Sequence, residues 1–174
     1  MPASQDTIRD LFITGAKNLH AVEKQALSIM TPQVKRIEHY PEVADQLHRH
    51  IAETEQQIQR LDDILAEFDT GGSALKDAGL SLSGSMAAIV HSVAGDEILK
   101  NSFANYAFEH FEIAGYKSLL TLAEDGTFSK ATSLLQQSLA EEQRMAQWLD
   151  EALPTITRRY AELYSEGGSS TAKV

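Results

Sequence analysis

The 174-residue chain has no cysteine. That excludes disulfides, thiolate nucleophiles, thiolate-bound zinc and iron–sulfur clusters, so any metal site must use carboxylate and imidazole. Basic residues are scarce: 15 Lys and Arg stand against 25 Asp and Glu, for a formal charge of −10. Such a surface repels polyanions, so neither nucleic acid nor an anionic membrane is expected as a partner. Cations are not disfavoured in this way. No apolar run approaches the ~20 residues of a membrane helix. Met1-Pro2-Ala3-Ser4-Gln5-Asp6 has neither the basic stretch nor the apolar core of a secretion signal. The expected compartment is the cytoplasm. The 10 glycines and 4 prolines are too few for a loop-rich or collagen-like chain. What remains is the composition and length of one globular domain.

Apolar residues recur at helical spacing in four long stretches. The first is expected from about Thr7 to His39, capped by Ser4 or Asp6, with Leu11, Phe12, Ala16, Leu19, Leu27, Met30, Val34 and Ile37 on one stripe. Pro32 should kink or interrupt it. The second starts at Pro41, a residue suited to a first helical turn, and runs to about Phe68. A connection rich in Gly and Ser follows, with a short helix expected around Met86–Val93. The third runs from about Asp96 to Glu124. Asp125-Gly126 closes it, and a fourth reaches Leu153, where Pro154 marks a break, with a last turn around Tyr160–Tyr164.

Two hairpins with short turns, joined by one long crossover, make an all-α, antiparallel four-helix bundle of ferritin-like topology. The crossover carries the short extra helix. Residues 1–164 are expected to form the bundle, and residues 165–174, rich in Gly and Ser, a disordered tail. A short internal repeat agrees with two related hairpins: Ile51-Ala52-Glu53 and Leu61-Asp62 recur as Leu139-Ala140-Glu141 and Leu149-Asp150, at an offset of 139 − 51 = 88 residues.

Several acids stand where apolar residues belong. Glu23 occupies the middle of the stripe Phe12, Ala16, Leu19, Leu27, Met30; Glu142 does so in Leu135, Leu139, Ala146, Leu149, Leu153. A carboxylate inside a core is costly unless paired or coordinated. On the third helix Glu109 and Glu112 share a face at i, i+3 and would repel unless a cation lies between them or one holds a proton. On the second, His50 and Glu53 make another i, i+3 pair, with Gln57 one turn on, at the edge of the stripe. Glu23 to Glu53 and Glu112 to Glu142 are both 30 residues apart, which places acids at comparable heights in both hairpins. Helix-borne carboxylates converging in a bundle make the oxygen-rich cage that iron or manganese prefers.

These residues resemble a family. The runs Asp10-Leu11-Phe12, Ala21-Val22-Glu23-Lys24-Gln25, His50-Ile51-Ala52-Glu53-Thr54, Glu109-His110-Phe111-Glu112-Ile113-Ala114-Gly115-Tyr116 and Leu139-Ala140-Glu141-Glu142 look like the bacterial YciE/YciF family, across about Thr7 to Leu153. The resemblance implies a ferritin-like bundle with a two-metal carboxylate centre of iron or manganese, association with bacterial stress responses, and a homodimer. Carried over by motif, the metal ligands would be Glu23, Glu53, Glu109, Glu112 and Glu142, with His50 beside them. Glu141 competes with Glu142: the repeat aligns Glu141 with Glu53, whereas the stripe favours Glu142. Ferritin-like di-iron proteins carry Glu-x-x-His on two helices. Here Gln56, Arg144 and Met145 stand at that spacing after Glu53, Glu141 and Glu142, so the site is poor in nitrogen. Manganese, magnesium or calcium would suit it as readily as iron.

Two readings follow. One is a metal-binding protein whose divalent ions sit in the bundle core. The alternative is a non-catalytic stress or interaction protein whose site is vestigial or empty. Bland assignments hold for other residues: His39, His91 and His110 as non-ligands, Tyr116 as core packing, and His20, which precedes Glu23 by three and could stand beside the ligands, as a residue outside the site.

Overall fold

A computed structural model describes residues 3–68 and 95–174. Four long helices carry the chain: α1 (Gln5–Val34), α2 (Pro41–Glu67), α3 (Glu97–Asp125) and α4 (Ser129–Gly167), followed by a single turn, α5 (Ser169–Ala172). There is no strand among the described residues. The short helix expected near Met86–Val93, and His91 with it, lies outside the described residues.

The helix starts follow local chemistry. Ser4 caps α1 by accepting from the Thr7 amide, and Pro41 opens α2. The α3–α4 turn uses Thr127 at φ 59°, and Gly126 is required beside it because a Cβ there would meet the Phe128 ring at 2.4 Å. Each helix packs against two others, α1 on α2 and α3, and α4 on α3 and α2. Gln33 meets Asn105 while Gln5 reaches the carbonyl of Asp125, so α1 and α3 are antiparallel. Arg60 meets Glu141 and Lys130 meets Glu67, so α2 and α4 are antiparallel too. Consequently α2 and α3 run in the same sense, which is the crossover topology of a ferritin-like four-helix bundle. Phe12, Phe68 and Phe128 close one end, with ring centroids 5.0 to 5.3 Å apart.

Three sequence expectations need correcting. First, α1 ends at Val34 rather than near His39, two residues after Pro32. Second, Pro154 does not break α4, which continues to Gly167. The proline is exposed, while Leu149, Ile156 and Leu163 keep one buried stripe running past it. That packing outweighs the lost backbone bond, and the freed carbonyl reaches water. Third, residues 165–174 are not a disordered tail but dock on the bundle end. Ala172 is fully buried, and its carbonyl accepts from the Tyr40 hydroxyl at 2.6 Å. The carbonyls of Lys173 and Val174 accept from the amides of Ile98 and His39. The tail thus satisfies backbone donors that the helix ends leave open, a role that Gly- and Ser-rich composition does not reveal.

Candidate metal centre

Midway along the bundle three of the four long helices turn acids inward. Glu23 of α1, Glu109 and Glu112 of α3 and Glu142 of α4 are all buried, 0 to 2% exposed. Among the described residues none of the four forms a salt bridge with lysine or arginine. Among the described residues the one basic group facing them is His50 of α2, 1% exposed, with Nε2 3.3 Å from Glu109 Oε2 and 3.8 Å from Glu142 Oε2. Donor atoms of His50, Glu109 and Glu142 lie within 4.8 Å of one another, as a metal site requires. Glu23 and Glu112 adjoin this cluster and interact electrostatically with Glu109 and Glu142.

Each carboxylate has a different hydrogen-bond state. Tyr116 donates to Glu23 Oε1 at 2.5 Å, leaving Oε2 unpartnered. Gln57 donates to Glu142 Oε1 at 2.5 Å, again leaving Oε2 unpartnered. Both oxygens of Glu112 are unpartnered, as is Glu109 Oε2. His50 Nε2 lies close to Glu109 but is not aligned for a hydrogen bond. Buried acceptors left without donors are rare, because each forfeits its hydration. A divalent cation satisfies such a set: hard oxygens with one imidazole suit manganese or iron. The residues therefore fit a metal.

The electrostatics agree. Burial raises the pKa of Glu23 to about 8, with Glu109 adding to the shift and the Tyr116 hydrogen bond and His50 opposing it. Burial pushes Glu112 well above the usual carboxylate range, reinforced by Glu23, Glu142 and Glu109. Glu142 moves the same way through burial and Glu109, against His50. Burial alone would lower His50, but Glu109, Glu53 and Glu142 together raise it well above 6.5. Without a cation the cluster holds protons instead.

The other expected ligands sit outside this core. The Glu53 side chain is 30% exposed; Oε2 faces His50 Nδ1 at 3.3 Å and Oε1 takes Arg144 at 3.1 Å. His50 and Arg144 hold its pKa down, against burial. Glu53 therefore fixes the outer nitrogen of the imidazole and leaves Nε2 facing inward. Glu141 turns to Arg60, which grips it with two bonds at 2.6 and 2.8 Å. His20 is buried but faces Asp62 at 3.1 Å. His48 and His110 are exposed.

Sequence reasoning missed the hydrogen-bonding residues. Tyr116 lies one helical turn after Glu112 and Gln57 one turn after Glu53. That spacing puts each near the site, but nothing in it marks which carboxylate receives the bond. Nothing in the spacing assigns Arg60 or Arg144 a partner, yet each pairs with an acid across the α2–α4 seam.

Comparison with known proteins bears on the family and the fold. Residues 7–162 match the family described as Domain of unknown function (DUF892). Protein YciF of Escherichia coli K12 is 29% identical over 141 residues, covering 78% of this chain and 84% of YciF. A crystal structure from Xanthomonas campestris pv. campestris superposes with a TM-score of 0.72 at 29% identity, covering 90% of this chain and 97% of that one. The crystal structure of the E. coli stress protein YciF gives a TM-score of 0.67 at 24% identity, covering 84% and 94%.

Proposed function

The chain belongs to the DUF892 family, the YciE/YciF family, and on that premise we propose that it is a ferritin-like, stress-associated protein that holds divalent metal in its bundle core. The observation that carries this reading is the excess of buried, unpartnered oxygens over basic groups: four core carboxylates face one imidazole. The residues that would hold metal are Glu23, His50, Glu109, Glu112 and Glu142. Glu53 would orient His50, and Glu141 would stay with Arg60. Iron or manganese is the proposed ion, up to two per bundle, as in the carboxylate centres of ferritin-like bundles. Either metal would supply redox chemistry toward oxygen or peroxide.

A homodimer, a cytoplasmic location and a role in stress belong to the same proposal. No helix among the described residues is long and apolar enough to cross a membrane.

The test is metal analysis of protein purified without chelator, with melting curves before and after iron or manganese is added. The expected result is near-stoichiometric metal, removable by chelator, and a raised Tm on reloading. Less than about a tenth of an equivalent, with no shift on adding either ion, would overturn the proposal.

A further inference from the structure

Gln57 is fully buried, and its amide nitrogen bridges two carboxylates. Nε2 donates to Glu142 Oε1 at 2.5 Å and to Glu141 Oε2 at 3.0 Å. Glu141 is held in turn by the Arg60 fork, and Arg60 also donates to Ser138 at 3.1 Å. The two carboxylates decide which way the amide faces, because its oxygen would be repelled there. Arg60, Glu141 and Gln57 thus form a relay from the α2–α4 seam to a single oxygen of Glu142.

That relay has a consequence for the centre. With Oε1 taken, Glu142 has only Oε2 free, and Oε2 is the atom that faces His50 Nε2. His50 is itself oriented from behind by Glu53. Both side groups of the His50–Glu109–Glu142 set are therefore held in place before any ligand arrives. Among the described residues this is the set whose donor atoms lie within 4.8 Å of one another. Glu112, beside this set, has neither oxygen hydrogen-bonded among the described residues, and there Glu23 takes its one hydrogen bond from Tyr116. Two donors are held in the first set, His50 and Glu142, and one in the second, Glu23, so the ordering cost of binding is lower for the first.

We propose that Gln57, held by the Arg60–Glu141 fork, is a positioning residue that reserves Glu142 Oε2 for the imidazole side, so that the His50–Glu109–Glu142 half of the centre fills before the Glu23–Glu112 half. This rests on the metal-binding reading and adds an order of filling and the residue that sets it.

The experiment is a cobalt(II) titration of the full chain, followed by calorimetry and visible absorption. The native protein should show two unequal steps, the tighter one with an imidazole-ligated spectrum. His50→Ala should remove that step; Glu112→Gln should weaken the other. Gln57→Leu should weaken the tighter step about ten- to hundredfold and shift its absorption bands while leaving the weaker step in place. Should Gln57→Leu fail to fold, Arg60→Met, at the outer end of the relay, should weaken the same step by a smaller factor. A merely structural role would move both steps together. Equal loss in both steps, an unmoved tighter step in a folded Gln57→Leu or Arg60→Met protein, or removal of the tighter step by Glu112→Gln overturns the proposal while the metal-binding reading stands. A native chain that takes up no cobalt overturns both.

Discussion

Glu97 and Glu112 lie 15 residues apart on α3 (112 − 97), are equally buried at 2% and 1%, and behave in opposite ways. Glu97, at the bundle end, accepts two bonds from Arg36 at 2.9 and 2.6 Å and faces Lys173 at 3.2 Å. Burial pushes its pKa up, but Arg36 and Lys173 carry it below the usual carboxylate range. Glu112 has no partner for either oxygen, and burial plus three neighbouring acids drive its pKa up. Burial therefore does not decide what an inward acid is for. The difference is the cation: the chain supplies it at the end of the bundle and withholds it in the middle.

The largest expected effect separates the two regions by metal. Manganese(II) or iron(II) at a hundred times its dissociation constant should stabilise the protein by ~2.7 kcal/mol. A Glu97→Gln variant should keep that gain, and a Glu23→Gln/Glu112→Gln double variant should lose it. Melts with and without metal measure this; a full gain in the double variant would remove these acids from the ligand set.

The metal-free protein should give a smaller contrast of opposite sign. Replacing an uncompensated buried acid by an apolar side chain is often stabilising, so Glu112→Leu should raise stability by ~1–2 kcal/mol. Glu97→Leu strands two bases, but both are partly exposed and can turn to water, so its loss should be about 2 kcal/mol rather than the larger penalty of a fully buried pair. Chemical denaturation resolves both. A destabilising Glu112→Leu would show that the acid is satisfied without metal.

The pH dependence should also split. A carboxyl raised to about 8, as in Glu23, binds its proton more tightly folded than unfolded. Its contribution to stability is complete below the unfolded pKa near 4.5 and is lost as pH rises through about 8. Raised Glu112 and Glu142 act in the same direction. Glu97 is depressed, so its contribution is present above 4.5 and is lost as pH falls through its folded pKa. Metal-free melts across pH should therefore lose part of the alkaline slope in Glu112→Gln and part of the acid slope in Glu97→Gln.

Sequence periodicity located the inward acids in the middle of the bundle but not the one at its end. Glu23 and Glu142 were legible because they interrupt apolar stripes, and both are completely buried. His50 looked like an edge residue, yet it is buried, because α2 rotates its His50–Gln57 edge toward α4. Glu53, at the same edge, ends up partly exposed. A rotation of that size lies below the resolution of a 3.6-residue repeat. The Glu97 cluster was not legible at all. Its partners come from the α1–α2 connection and the docked tail, and non-local pairing of charges leaves no local pattern. Proline raised the same difficulty: Pro32 and Pro154 share a residue type and an exposed setting, but burial in α1 ends at Val34, just past its proline, while Ile156 and Leu163 carry the α4 stripe well beyond Pro154.

The smallest expected effect tests the one neutral donor that reaches Glu23. Tyr116 is fully buried, and its hydroxyl donates to Glu23 Oε1 at 2.5 Å. Tyr116→Phe removes one hydrogen bond and almost no packing, so the metal-free protein should lose only about 1 kcal/mol. The more telling change is in proton affinity. The Tyr116 bond favours ionised Glu23 and holds its pKa down against burial, so without it the carboxyl should keep its proton to higher pH. The alkaline slope should then move upward, and at a fixed pH near neutrality metal should bind more weakly, because it must displace a tighter proton. The acid slope belongs to Glu97, on the same helix but at the far end, and should not move. A displacement of both slopes would mean that Tyr116→Phe disturbs the bundle as a whole. A displacement of neither would mean that Tyr116 packs beside Glu23 without governing its charge, and the middle of the bundle would have lost the one donor that distinguishes Glu23 from Glu112.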